Sequence, residues 1–446
     1  MNEMFLWRRG IRRPRVTASF EPEVKLPQRL VIPLEPADST YGHALRVEAG
    51  EEILRHRLIG LGLGLAPSLH SPAAGRVESV EEKLLRPDGT LTRGVAIAVS
   101  GDKALEPKAV ALPETLSAEQ ILERIRDAGV ALRGPRAISL SAAIEASRQP
   151  QGFLGATGGS VSRSLSHIIV RLADVDPSLA SVSAAASLAE TKPDDLMLGL
   201  KLLTRVTGTS RISLVLHKGQ KLPNVERLAD ELELGLLRVS SHRYPELAGP
   251  LVAAKASGME PPVGIAPLYA SGVLVTDVDT VLEVVEAVRD GLPAVRPFVT
   301  ISTSMEKTVR RVAIGTPLRA VIGAGARAEA RKIVLGGFMG GIAAPDFDQS
   351  VMKETDGICI LPGKDVLRSQ NLPCMGCGAC ARACPMRLVP SLLSRAAEFD
   401  QLDTARALDI FHCIDCGVCG FVCPAGRSML QLITAAKTAL VPRGRV

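Results

Sequence analysis

Eight of the nine cysteines of this 446-residue chain lie between Cys374 and Cys423, and the ninth is Cys359. They form two runs of one spacing: Cys374-x2-Cys377-x2-Cys380-x3-Cys384-Pro385 and Cys413-x2-Cys416-x2-Cys419-x3-Cys423-Pro424. Whatever this segment folds into must bring thiols together. The opening residues, MNEMFLWRRGIRRPR, contain no apolar run after the arginines, so no secretory signal is expected. In the cytosol disulfides are rare and clustered cysteines more often hold metal.

The spacing narrows the choice of metal. Structural zinc ordinarily uses paired C-x2-C halves. A triple C-x2-C-x2-C closed by x3-C-P is the bacterial ferredoxin pattern, and here it occurs twice. Two-residue gaps let the chain wrap one face of a cubane with three thiolates. Gly376, Gly378, Gly417 and Gly420 would relieve crowding there, and the proline after the fourth cysteine turns the chain away. In two-cluster ferredoxins the fourth cysteine of each run ligates the other cluster. Cys374, Cys377, Cys380 and Cys423 are thus expected to hold one [4Fe-4S] cluster. Cys413, Cys416, Cys419 and Cys384 are expected to hold the second. Crossed ligation brings the clusters close enough for electrons to pass between them. The spacer 385–412 is longer than in small ferredoxins and favours a helical ferredoxin arrangement. Cys359, flanked by Ile358 and Ile360, reads as a buried structural thiol. His412 beside Cys413 reads as a packed or surface histidine, with tuning of the second cluster as its rival role.

Length allows about three domains at roughly 150 residues each. Hydrophobic residues make up 46% and charged residues 22%, ordinary globular usage that excludes a disordered or fibrous chain. Aromatics are only 3%, which argues against single-strand nucleic-acid binding by base stacking, so no nucleic-acid partner is expected. The longest uncharged stretch, 58–75, is borderline for a membrane span. It holds four glycines, Pro67, Pro72 and His70, and reads as strands and turns. Of the net charge of +6, much sits in the first residues, where Arg8, Arg9, Arg12, Arg13 and Arg15 oppose Glu3. Such an arm suits anionic headgroups or an acidic partner, with a solvated tail as the alternative.

Along the chain, Val31-Ile32-Pro33-Leu34, Ile53-Leu54, Arg76-Val77 and residues 95–99 read as strands, with a tight turn at Asp88-Gly89. Ser117 and Gln120 form a capping-box pattern opening a helix to Arg126, with Gly129 beyond it. Apolar runs at 167–172 and 212–216 alternate with helical stretches at 194–204 and 224–232, which argues for a parallel sheet. Further on, 272–275, 298–302 and 309–314 read as strands and 277–289 as a helix. A helix over 390–408 separates the cysteine runs, and an amphipathic helix over 428–440 packs on the module.

The segment His70-Ser71-Pro72-Ala73-Ala74-Gly75-Arg76-Val77 resembles the barrel-sandwich fold of biotinyl and lipoyl carriers, but it has no lysine to modify, so a structural role is expected. With Pro33-Leu34, Arg243-Tyr244-Pro245, Ile314-Gly315-Thr316-Pro317, Gly336-Gly337-Phe338-Met339-Gly340 and the twin cysteine runs, the chain resembles the RnfC family. Members of that family are one component of the ion-translocating electron transport complex. The resemblance runs over essentially the whole length. It implies a multidomain α/β and α+β fold with four units. These are an N-terminal arm and barrel-sandwich domain (1–110), an α/β domain like the flavoprotein of respiratory complex I (111–250), a β-grasp-like SLBB unit (251–360) and an α-helical two-cluster ferredoxin (361–446).

The family's flavin loop, Gly-x-Gly-Gly-Ala-Gly-Phe-Pro, cradles the flavin phosphate with bare backbone amides. Here the corresponding residues 128–135 keep only Gly129 and Gly134, and Leu132 and Arg133 add bulk. Another glycine-rich stretch, 152–160, lies away from the family's position. The family's Ala-Glu-Cys-Glu-Pro nucleotide motif reads Ala173-Asp174-Val175-Asp176-Pro177, and its downstream acidic pair is replaced by small residues over 181–187. Gly129, Gly134, Asp174 and Asp176 are therefore the residues of a degenerate FMN and NADH site. The resemblance implies an electron-transfer subunit at the cytoplasmic face of the cell membrane. Its partners would be other Rnf-type subunits, through which it meets the membrane surface, and a soluble carrier: ferredoxin, flavodoxin or NADH. The alternative is a self-contained FMN-dependent NADH reductase of the cobalamin-reductase type, which needs a working flavin loop.

Overall fold

The computed structural model describes residues 19–20, 24–35, 41–86, 91–134, 136–148, 164–240, 244–258, 268–303, 306–363, 366 and 372–440. The arginine arm, the Asp88-Gly89 turn, the glycine-rich 152–160 stretch, Pro135 and Arg243 lie outside them. The chain is a mixed α/β multidomain structure ending in the cysteine module.

The first unit is built from two antiparallel sheets. Strand Arg29–Leu34 alternates strictly: Leu30, Ile32 and Leu34 are buried while their neighbours are less so. This period of two faces one side of the strand inward. Val77, Val95 and Ile97 from the same sheet, with Ile59 and Leu69 from the other, complete one shared core. The uncharged stretch 58–75 is thus strands Leu58–Gly64 and Leu69–His70 and the turns around them, as its glycines and prolines imply.

The second unit is a four-stranded sheet in which every pair is parallel. Its edges are strands Gly235–Val239 and Val273–Asp277, flanking Ile212–His217 and His167–Arg171. Both faces are covered, so its central strands are apolar on both sides. Ile168 and Val170 face a core built with helices Ala118–Ala128, Pro193–Thr207 and Val278–Val288. Ile169 and Val215 face Val252 and Ala253 of helix Gly249–Ser257. The capping box forms as read: Ser117 N–H donates to Gln120 Oε1 (2.8 Å) and Gln120 N–H to Ser117 Oγ (3.2 Å). Gly129 closes that helix in the left-handed conformation.

Strand Val273–Asp277 pairs with His167–Arg171, so the parallel sheet extends past residue 250, where the α/β unit was expected to end. The pairing sets Arg171 beside Asp277, and the guanidinium donates two bonds to the carboxylate, at 2.7 and 2.8 Å. A bidentate pair of this kind fixes register as well as adding energy.

A six-stranded mixed sheet follows, with strands Phe298–Ser302 and Gly357–Pro362 parallel at its centre. Ser19–Phe20 adds an edge strand to it. The strand expected over 309–314 is Lys307–Arg311, and buried Val312, Ala313 and Ile314 continue as loop.

The C-terminal module is helical. The single helix expected over 390–408 is two, Pro390–Glu398 and Leu402–Ala407. Asp400 takes φ +53 between them, and Asp400 N–H and Gln401 N–H donate to the carbonyls of Ala397 and Ala396. These are the two bonds of a Schellman stop, which usually uses glycine at the left-handed position. Helix Met429–Leu440 packs on the first of the pair through Ile433 and Ala436.

Candidate iron-sulfur module and the adjoining nucleotide-motif residues

Each cysteine run folds the same way. A left-handed glycine, Gly378 (φ +70) or Gly417 (φ +74), starts a short helix that carries the third cysteine. Such αR–αL turns point successive amides to one side, the geometry that suits an anionic cluster. Gly376 is also left-handed (φ +67), whereas Gly420 shows neither a positive φ nor a close neighbour.

The fourth cysteine of the first run lies beside the second run. One cavity is lined by Cys384 of the first run together with Cys413, Cys416 and Cys419 of the second, against Leu393 and Ile433. Cys423 packs against a group made of Cys380 of the first run, Cys419 of its own run and Met429. Cys374 and Cys377 are exposed.

The cavity disfavours thiolates that lack a cationic partner. Burial pushes the Cys413 and Cys419 thiols up to about 12, and neighbouring acids add to it: Asp415 at Cys413, and Cys413, Cys416 and Cys384 at Cys419. Cys416 is raised by burial and by Cys384. Ionised together in this apolar pocket, the four sulfurs would need a cationic partner, so the donor set fits a metal cluster. Among the described residues no three Cys, His, Asp or Glu side chains gather for a single ion. Lys437 closes the site from helix Met429–Leu440, donating to the Cys413 carbonyl and to Asp415 Oδ2 (2.7 Å). His412 is half exposed and 3.9 Å from Asp409. Cys359 is fully buried, its thiol pushed far up by burial.

Of the flavin-loop and nucleotide-motif residues, Gly129, Asp174 and Asp176 are engaged inside the protein and Gly134 is exposed. A Cβ on Gly129 would overlap the Ser68 carbonyl oxygen, and the Gly129 carbonyl accepts from the buried Lys353 ammonium. Gly134 stands near only Arg136. Asp174 accepts from Val182 N–H (2.9 Å) and from Ser183 N–H (3.1 Å) and hydroxyl, occupying the N-terminus of helix Ser181–Thr191. Asp176 accepts from Ser178 N–H and hydroxyl and from Met339 N–H.

Arg133, read from sequence only as bulk in the loop, has a definite place. Its guanidinium is buried and bridges Asp279 and Glu283 (3.0 Å). Those acids sit four residues apart on helix Val278–Val288, a spacing visible in sequence but informative only beside Arg133. Tyr244, noticed only as part of a motif, reaches the module: its hydroxyl donates to the Cys416 carbonyl at 2.7 Å.

Gly129→Ala is expected to destabilise the chain by about 1–3 kcal/mol, because φ +65 is strained for alanine and the Ser68 backbone cannot move aside cheaply. Thermal or urea unfolding of the purified protein measures it.

The chain is thus an α/β multidomain protein ending in an iron-sulfur module. A family model for the 4Fe-4S dicluster domain matches residues 367–424. The RnfC component of the ion-translocating oxidoreductase complex of Methanosarcina acetivorans is 26% identical over 448 residues, 94% of this chain and 93% of that protein. The corresponding proteins of Klebsiella pneumoniae (26% identical) and Yersinia pestis (25%) each match 86% of this chain, which spans only 50% and 61% of their own lengths. A solved NAD+-reducing [NiFe]-hydrogenase in its H2-reduced state is similar at a TM-score of 0.46, with 15% identity over 74% of this chain and 64% of that one. The chain is an RnfC relative along 86–94% of its length, not in the cysteine module alone. Among the described residues no helix is long and apolar enough to cross a membrane.

Proposed function

We propose that this chain is the electron-transfer subunit of an Rnf-type complex, carrying two [4Fe-4S] clusters. Cys374, Cys377, Cys380 and Cys423 hold the first, and Cys413, Cys416, Cys419 and Cys384 the second. When bound, the clusters supply one-electron steps. The observation that carries the reading is the cavity joining Cys384 to the first three cysteines of the other run. We read the units before the module as a barrel-sandwich domain, a complex-I-flavoprotein-like domain and an SLBB-like domain, used as scaffold. The subunit sits peripherally at the cytoplasmic face, against other Rnf-type subunits.

With Gly129, Asp174 and Asp176 engaged internally, the soluble donor or acceptor is a protein carrier of the ferredoxin or flavodoxin kind. The contact lies at the first run. Cys374, Cys377, Met375, Arg382 and Arg387 are exposed there, and no acidic residue lies between 372 and 397. An acidic carrier is attracted to such a face and the attraction is screened by salt.

Anaerobically reconstituted protein is expected to hold about eight irons per chain. Reduced ferredoxin should reduce it at a rate that falls with ionic strength, and NADH alone should not. Fewer than about six irons would sink the two-cluster reading. Tight FMN with NADH-driven viologen reduction would favour the reductase alternative.

A further inference from the structure

Two contacts cross from the α/β unit and the mixed sheet onto the ligand loop of the second cysteine run, and both end within the segment Cys416–Gly417. The first is the Tyr244 hydroxyl, which donates to the Cys416 carbonyl at 2.7 Å. The second is a relay that starts at Asp176. One carboxylate oxygen accepts from Ser178 N–H (2.8 Å) and Ser178 hydroxyl (2.6 Å), and the other accepts from Met339 N–H (3.0 Å). The same Ser178 oxygen accepts from Phe338 N–H (3.1 Å). Two successive amides of the Gly336–Gly341 turn are thereby held by one Asp–Ser pair, and both side chains are buried.

The far side of that turn meets the cluster loop. A Cβ on Gly417 would overlap the Met339 carbonyl oxygen, and one on Gly337 would overlap the Asp176 carboxylate. Only bare backbone permits the turn to lie between the carboxylate and the cluster loop. Gly340 faces the Asp415 carbonyl and lies near the Tyr244 hydroxyl, so both struts converge on one short segment.

We infer that Tyr244 and Asp176 are positioning residues for the second cluster, and that the second aspartate of the Asp-x-Asp-Pro motif serves in this chain as a strut for the Cys416–Gly417 loop. This rests on the two-cluster reading above. The physical basis is that the cysteine loop sets the backbone dipoles and amides around the cluster sulfurs, and these tune its potential. Both struts end on the second run, so the effect is specific to one cluster.

The test uses the full-length, anaerobically reconstituted chain with Tyr244→Phe and, separately, Asp176→Asn. Tyr244→Phe keeps the ring and removes one donor. Redox titration followed by EPR should show the second cluster's signal and midpoint shifted, with the first cluster's unchanged. Cys384→Ala serves to tell the two signals apart. Hydrogen exchange at the amides of 414–419 should quicken by about fivefold to tenfold, the loss of about one hydrogen bond's worth of local stability. Iron content should remain that of the unmodified chain. If both clusters of Tyr244→Phe titrate and exchange as in the unmodified chain, the inference is overturned, whatever becomes of Asp176→Asn. If the unmodified chain itself lacks two clusters, the two-cluster reading has failed and the inference falls with it. If both clusters shift equally, the residues support the module generally and the specific role is refuted.

Discussion

Cys384→Ala is expected to cost the chain its second cluster and leave the first, although Cys384 belongs to the first cysteine run. The reason is where the fold puts the thiol. Cys384 lines the cavity of Cys413, Cys416 and Cys419, and it raises the thiols of Cys416 and Cys419 as a neighbouring acid does. Iron should fall from about eight to about four per chain. The EPR spectrum that remains should match that of Cys416→Ala. If ligation followed sequence order, it would match Cys377→Ala instead. Cys423→Ala is the reciprocal case under crossed ligation, and should cost the first cluster. Loss of the second cluster should also loosen the module, because ligand binding and folding share their free energy. Its apolar core is confined to a few side chains, among them Leu393, Ala405, Ile410 and Ile433.

Arg133→Met is expected to destabilise the protein by about 3–5 kcal/mol at pH 8, the usual cost of removing one partner from a buried ion pair. The guanidinium is 7% exposed and Asp279 fully buried, so the carboxylate left behind has no water to turn to. The loss should depend on pH in a definite sense. Burial is the largest influence on Asp279 and pushes its carboxyl up to about 6, while Arg133 pulls it down. Removing Arg133 raises the folded value further. A carboxyl raised in the folded state favours folding below its unfolded value near 4, and that advantage disappears as pH rises through the folded value. The penalty should therefore be smaller at pH 5, where Asp279 holds a proton, than at pH 8. Urea unfolding at the two pH values measures it; equal penalties at both would remove Asp279 from the account.

The same cluster bears on the flavin. Arg133→Gly is expected to leave FMN unbound, since it leaves the buried Asp279 and Glu283 carboxylates without their countercharge, and these repel an anion. The loop also remains pinned by Lys353 at the Gly129 carbonyl and by the close Ser68 backbone. A charged group stands in the loop and its countercharges lie on the facing helix.

How much of this was legible varied with the range of the interaction. The capping box at Ser117 and the stop at Gly129 are local, and their residue types state them directly. The break at Asp400 was not legible, because the left-handed position is taken by aspartate where glycine is the usual signal. Strand Val273–Asp277 was recognisable as a strand, but its pairing with His167–Arg171 depends on a crossover of about a hundred residues that no local pattern encodes. Asp174 and Asp176 were singled out by motif. Their hydrogen-bond partners, a helix N-terminus and a turn from another sheet, could be found only in three dimensions.

By itself the sequence determined the thiol chemistry: two runs of one spacing admit few metal sites, since ligand spacing is a short-range constraint on how a chain wraps a cluster. The sequence also placed Cys384 with the other run, where the structure has it. The tertiary structure alone decided that Arg133 is neutralised by Asp279 and Glu283, and that Tyr244 and Asp176 bear on the Cys416–Gly417 loop. The physical reason is common to both. Each is a contact between residues distant along the chain, fixed by how separate sheets and helices bury their apolar faces, and the residue types at either end do not name their partners.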